Sequence, residues 1–139
     1  MRALLCVAIA LAAGLRGADP PRGVVEFFDD VTRALAEAHT DNPRLPISAS
    51  AFLDKFDSTM PGYAQLQENV EDLVSRSTVG SAVEFVTDDG DDNKRNLDVD
   101  WTLEIQDRLP KRQVLKCTIE RRGKSWKITS LTPVDFFKY

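Results

Sequence analysis

Residues 97–105, Leu-Asp-Val-Asp-Trp-Thr-Leu-Glu-Ile, constrain this chain more than any other stretch. Leu97, Val99, Trp101, Leu103 and Ile105 are apolar, and the intervening Asp98, Asp100, Thr102 and Glu104 are polar. Side chains of a strand alternate between its faces, so this pattern specifies a half-buried β-strand. Such a strand needs a neighbour on each edge and a cover over its apolar face. Slipping its pairing by one residue would turn the whole apolar set to water, which makes its facing hard to change.

The cover is predicted upstream. Val24, Phe27, Phe28, Val31, Ala34, Leu35 and Ala38 recur at three-and-four spacing opposite Glu26, Asp29, Asp30, Arg33 and Glu37. That is an amphipathic helix over residues 24–39. Asp41-Asn42-Pro43 and Pro46 then set a short loop. Ser48 offers an N-cap, with Ile47 and Phe52 placed as a hydrophobic staple, for a second helix reaching about Ser58 and burying Phe52, Leu53 and Phe56. Pro61 suits the first turn of a third helix, striped by Tyr63, Leu66, Val70, Leu73 and Val74.

From Val79 the period changes to two. Ser81, Val83 and Phe85 share a face, residues 88–93 form a tip, and the central strand follows. Beyond Pro110, Leu115, Cys117 and Ile119 alternate with Lys116, Thr118 and Glu120. Arg122-Gly123 is expected as a two-residue turn, pairing Ile119 with Trp126 and Cys117 with Ile128. In the preceding hairpin, pairing Leu103 with Cys117 sets Glu104 against Lys116 and Thr102 against Thr118. The class is α+β: three N-terminal helices packed on an antiparallel sheet of about four strands.

A length of 139 residues with 42% hydrophobic content suits one domain. The start reads as a secretory signal peptide over residues 1–18: basic Met1-Arg2, an uncharged apolar run over residues 3–15, and small residues at Gly14, Gly17 and Ala18. That run is shorter than the roughly 20 residues a spanning helix needs. Cleavage after Ala13, Gly17 or Ala18 leaves a single domain, residues 19–139, that is exported to the periplasm or the exterior. Cys6 leaves with the signal, so Cys117 has no partner for an internal disulfide and is expected as a small buried hydrophobe.

The long first helix with Phe27-Phe28, two further helices and a strand meander ending in Glu120-Arg121-Arg122-Gly123-Lys124-Ser125-Trp126-Lys127-Ile128 resemble the nuclear transport factor 2-like superfamily. This is the cystatin-like cone fold shared by ketosteroid isomerase-like and polyketide cyclase-like proteins. The resemblance implies a curved sheet wrapped around the helices, with a pocket at the open end of the cone. It also implies acid–base residues inside that cone in the members that are enzymes.

The inward positions here hold no base, so the chain is expected to be a non-enzymatic domain that binds a small apolar ligand or a protein partner. The ligand pocket is expected from Tyr63, Phe85, Val99, Trp101, Leu103, Cys117 and Trp126. The alternative is an isomerase or dehydratase acting on a small hydrophobic substrate, with Tyr63 or Asp57 supplying the chemistry. His39, the only histidine, is expected at the end of the first helix, where a cation is favourable for structural reasons alone.

No cofactor or metal is expected. Asp89, Asp91, Asn93 and Asp100 have the spacing of a calcium loop, but Lys94 stands where that loop needs glycine, so a solvated turn is expected instead. Residues 19–107 carry 7 Lys and Arg against 20 Asp and Glu, whereas residues 108–139 carry 9 against 2. The asymmetry is expected to serve cross-strand pairing, or else a basic surface of Arg108, Lys111, Arg112, Arg121, Arg122 and Lys124 that meets an acidic partner. Overall acidity and the lack of aromatics interleaved with those cations count against nucleic acid. A polar outer sheet face carrying Lys116, Thr118, Lys127 and Thr129 suits a monomer or weak homodimer.

Overall fold

The computed structural model describes residues 18–39 and 47–139. The expected signal segment up to Gly17, and the loop with Asp41-Asn42-Pro43 and Pro46, lie outside the described residues. Helices α1 (Arg22–Ala36), α2 (Ser50–Leu53) and α3 (Tyr63–Arg76) are followed by strands β1 (Val79–Gly90), β2 (Lys94–Ile105), β3 (Lys111–Arg122) and β4 (Ser125–Thr132), and by a 3-10 turn at Val134–Phe137. The strands form one antiparallel sheet in the order β1-β2-β3-β4. The class is α+β.

The central strand has the facing its alternation dictates. Val99, Trp101 and Leu103 of β2 are fully buried, and Leu97 and Ile105 nearly so. Above them α1 turns down Phe28, Val31 and Leu35, α3 turns down Leu66, Val70 and Leu73, and the 3-10 turn inserts Phe136 and Phe137. Trp101 sits at the centre of a ring cluster. Its centroid lies 6.4 Å from Phe28, 6.4 Å from Phe52 and 5.2 Å from Phe137, each edge to face. This geometry sets the positive rim of one ring against the negative face of the next. The indole N–H donates to Ser81 Oγ on β1 at 2.6 Å, so the largest side chain of the core carries no unsatisfied polar atom.

Two strand registers depart from expectation. Cys117 lies opposite Leu97, not Leu103, so Lys116 faces Asp98 rather than Glu104, and Thr102 faces Arg112 rather than Thr118. The cause is a tight connection: Arg108 N–H bonds to the Ile105 carbonyl, Asp107 takes a left-handed φ of 64°, and β3 therefore starts at Lys111. In the last hairpin the turn residues are Gly123-Lys124, and Trp126 opposes Arg121 while Ile119 opposes Ile128. Gly123 has φ 65° and occupies the first turn position, where a primed hairpin turn demands it.

Further along β4 the pairing shifts between Thr118 and Ile119, which leaves Thr129 as an extra residue. The shift changes parity, and Leu131 follows Ile128 into the core.

The second helix is shorter than expected. It ends at Leu53, and the chain then runs along the free edge of β4, with Asp57 N–H donating to the Ile128 carbonyl at 2.8 Å and Ile128 N–H to the Lys55 carbonyl at 2.9 Å. Phe56 is buried through this parallel bridge rather than from a helix. Ser48 Oγ accepts the Ser50 N–H at 3.2 Å, but Ile47 stays 43% exposed and makes no staple. Pro61 precedes the cap residue Gly62, whose φ of 79° begins α3 at Tyr63. The β1–β2 hairpin is also tighter than a tip over residues 88–93. Pairing continues to Gly90 against Arg95, and a Cβ on Gly90 would meet the Lys94 carbonyl oxygen at 2.2 Å. Only glycine fits there.

Candidate functional site

Of the residues expected to line one pocket, Val99, Trp101, Leu103, Cys117 and Trp126 belong to the hydrophobic core, and Phe85 and Tyr63 pack against it. Val99, Trp101 and Leu103 have no exposed surface and are packed among rings and aliphatic side chains. Phe85 is half-buried and meets Phe28 edge-on at 5.3 Å. Cys117 is buried, and its apolar surroundings push the thiol pKa far up, so it is protonated and inert at neutral pH. Tyr63 lines a groove between α2 and α3 together with Ile47, Leu53 and Val74, and Asp57 is not part of that lining. Trp126 borders a different cleft.

Asp57 works as a clamp. Its carboxylate accepts the Thr59 N–H at 2.8 Å and the Thr59 hydroxyl at 2.6 Å, and receives Arg122 at 3.2 Å. These bonds hold its pKa at about 2, against an ordinary 3.8. A carboxylate so stabilised is a poor proton acceptor at neutral pH. His39 is half-buried and donates through Nδ1 to the Val74 carbonyl at 2.7 Å, joining the end of α1 to α3.

The interior side chains that are both buried and polar among the described residues are Asn69 and Ser77. Asn69 donates to the Val134 carbonyl at 3.1 Å and accepts from Gln65 at 2.8 Å, while Ser77 donates to the Thr78 carbonyl. The acids of the β1–β2 hairpin are likewise engaged in structure. Asp91 accepts the N–H groups of Asn93 and Lys94, which lower its pKa, and Asp88 grips Arg95 with both oxygens at 2.9 Å.

The six cations expected to form one basic surface divide between the two ends of β3, roughly 36 Å apart by strand rise. At one end Arg108 stacks on the Tyr139 ring at 4.0 Å, and Arg112 forks onto Asp100. Lys111 donates to the carbonyls of Phe136 and Lys138, and burial pulls its pKa down. At the other end Arg122 binds Asp57 and Glu120, Arg121 lies over the Trp126 ring at 4.6 Å, and Lys124 sits in the hairpin turn.

This second end borders a cleft of about 360 Å³ between the start of α1 and the β3–β4 hairpin. Phe27 and Trp126 form its apolar part, each under a tenth exposed. Glu26 and Asp30 stand on the helix side and Arg121, Lys124 and Lys127 on the hairpin side. The cleft was not legible as a site because its two walls are far apart in sequence. The signals for it were Gly23 amid the polar face of α1 and the cations around Trp126.

No family model and no curated protein matches the chain. Among solved structures it is similar to Bdellovibrio bacteriovorus Bd1075, at 13% identity with a TM-score of 0.59. The likeness covers 78% of this chain and 37% of that one, so the chain spans well under half of that protein's length. At this identity the likeness concerns the fold alone.

Proposed function

We propose that this chain is an exported, non-enzymatic domain of the nuclear transport factor 2-like type, with a cone-shaped body that works by binding a protein partner at its surface. The observation that carries the reading is the filled interior: Val99, Trp101 and Leu103, the heart of the expected pocket, have no exposure, and Phe28, Phe52 and Phe137 close around Trp101. An apolar ligand would have to displace rings packed at the density of a protein core, which favours the surface over the interior as the place of binding. The order of helices and meander supports the superfamily reading, and the basic-then-apolar start over residues 1–18 supports export.

A thermal-shift screen with apolar small molecules tests it. The expected result is an unchanged melting temperature at saturating concentration. A rise that disappears when Leu103 is replaced by Phe would place a ligand inside the cone and overturn the reading. The enzymatic alternative requires Tyr63 or Asp57 to act on substrate, and Asp57 is already held by Thr59 and Arg122.

A further inference from the structure

We infer that the cleft between α1 and the β3–β4 hairpin receives an extended acidic segment of a partner protein, which adds to the free edge of β4 at Trp126. The inference rests on the surface-binding reading above and assigns that surface its place and chemistry.

The backbone supplies the first half of the argument. Ile128 directs both its N–H and its carbonyl away from β3, where they meet Lys55 and Asp57. Groups two residues apart on a strand point to the same side, so Trp126 opens its N–H and carbonyl along that same edge. The covering segment does not extend to them. It arrives from α2, which ends at Leu53, and Lys127 Nζ holds the Asp54 carbonyl as the chain turns in. Among the described residues no backbone bond across this edge reaches Trp126, and an edge with unmet donors and acceptors is a template for an added strand.

The side chains supply the sign of the partner's charge. Glu26 and Asp30 on the α1 wall are already paired along their own helix, with Arg22 at 2.8 Å and Arg33 at 3.0 Å. The cations Lys55, Arg121, Lys124 and Lys127 have no carboxylate partner among the described residues. Asp54 alone of the lining carboxylates shares that condition, so the charge of the cleft not neutralised by an ion pair is cationic, with Arg121 and Lys127 each giving a donor to a backbone carbonyl, of Asp92 and Asp54. Apolar side chains of an added strand would lie against Phe27 and Trp126, and its acidic ones against the hairpin cations. Space is left by Gly23, where a Cβ would meet no atom within 4 Å.

The test is a phage-displayed random dodecapeptide library panned on the full chain, with the Gly23→Leu variant as counter-screen. Leucine at position 23 is a better helix former than glycine, so the variant keeps its fold, as its circular dichroism will report, while its side chain fills the cleft. Selective enrichment of acidic peptides on the unmodified protein is expected. The best of these, synthesised, should shift the Trp126 backbone amide in an NMR titration and bind about tenfold more weakly to Lys124→Glu. Peptides enriched equally on Gly23→Leu, enrichment irrespective of charge or of basic sequences, or an unmoved Trp126 amide would each overturn the proposal. A selected peptide that maps to another face removes this site and leaves surface binding standing. No selectable peptide, together with a small apolar molecule that raises the melting temperature, removes both.

Discussion

Asp57 and Arg122, 65 positions apart, meet at 3.2 Å and tie the segment that borders β4 to the last hairpin of the sheet. The same carboxylate accepts two bonds from Thr59, so the loop before α3 and the β3–β4 turn share one anchor.

Acid should loosen that anchor. Asp57 has its pKa lowered to about 2 in the folded chain from an ordinary 3.8. A depressed carboxylate contributes stability that is present above the unfolded value and lost as pH falls through the folded one. Urea midpoints measured from pH 5 down to pH 2 should therefore fall, and Asp57→Asn should show a shallower decline over the same range. Asp91, Asp100 and Glu120 are also lowered, so the variant keeps part of the slope.

The Trp101–Ser81 bond should matter out of proportion to the size of serine. Ser81→Ala strands the indole N–H in a buried site, at a cost of about 1–3 kcal/mol. Trp101→Ala removes the centre of the ring cluster and should cost about 3–5 kcal/mol. Chemical denaturation of Ser81→Ala, Trp101→Phe and Ser81→Ala/Trp101→Phe measures the pair. Without the indole N–H, the serine substitution should become nearly neutral.

Glycines at two positions should respond in opposite directions. Gly90→Ala drives a methyl group into the Lys94 carbonyl and the Arg95 backbone, so it should destabilise by more than about 1 kcal/mol. Gly23→Ala meets open space in the first turn of α1 and should stabilise by up to about 1 kcal/mol. Melting temperatures of the two proteins provide the comparison.

Cys117 should resist a thiol reagent such as dithionitrobenzoate while the protein is folded. Burial keeps it protonated and out of reach, so labelling should proceed at the rate of unfolding and accelerate with urea. Rapid labelling in buffer would mean that β3 opens locally.

Sheet facing was legible in the sequence because alternation is a local property: Leu97, Val99, Trp101, Leu103, Ile105, Cys117, Ile119, Trp126 and Ile128 are all buried as expected. Register was less so, since it depends on how tightly each connection closes, and neither the left-handed Asp107 nor the extra Thr129 has a pattern that announces it. The length of α2 was set from outside the segment, by a strand edge that recruits Lys55 and Asp57. The expected pocket failed to assemble for a related reason. An apolar face can line a hollow or fill one, and the covering rings Phe28, Phe52 and Phe137 decide which. Trp126, Arg121 and Lys124 were visible as candidates, but the opposite wall at Gly23, Glu26 and Phe27 depended on the tertiary fold.

Thr129 also bears on how this hairpin can be engineered or diversified. As the supernumerary residue, it could be deleted with Ser130 still opposite Thr118 and Leu131 still opposite Cys117, so β4 should tolerate losing one residue at this point, whereas a segment transplanted without a bulge of its own must be one residue shorter to keep its apolar side beneath the helices.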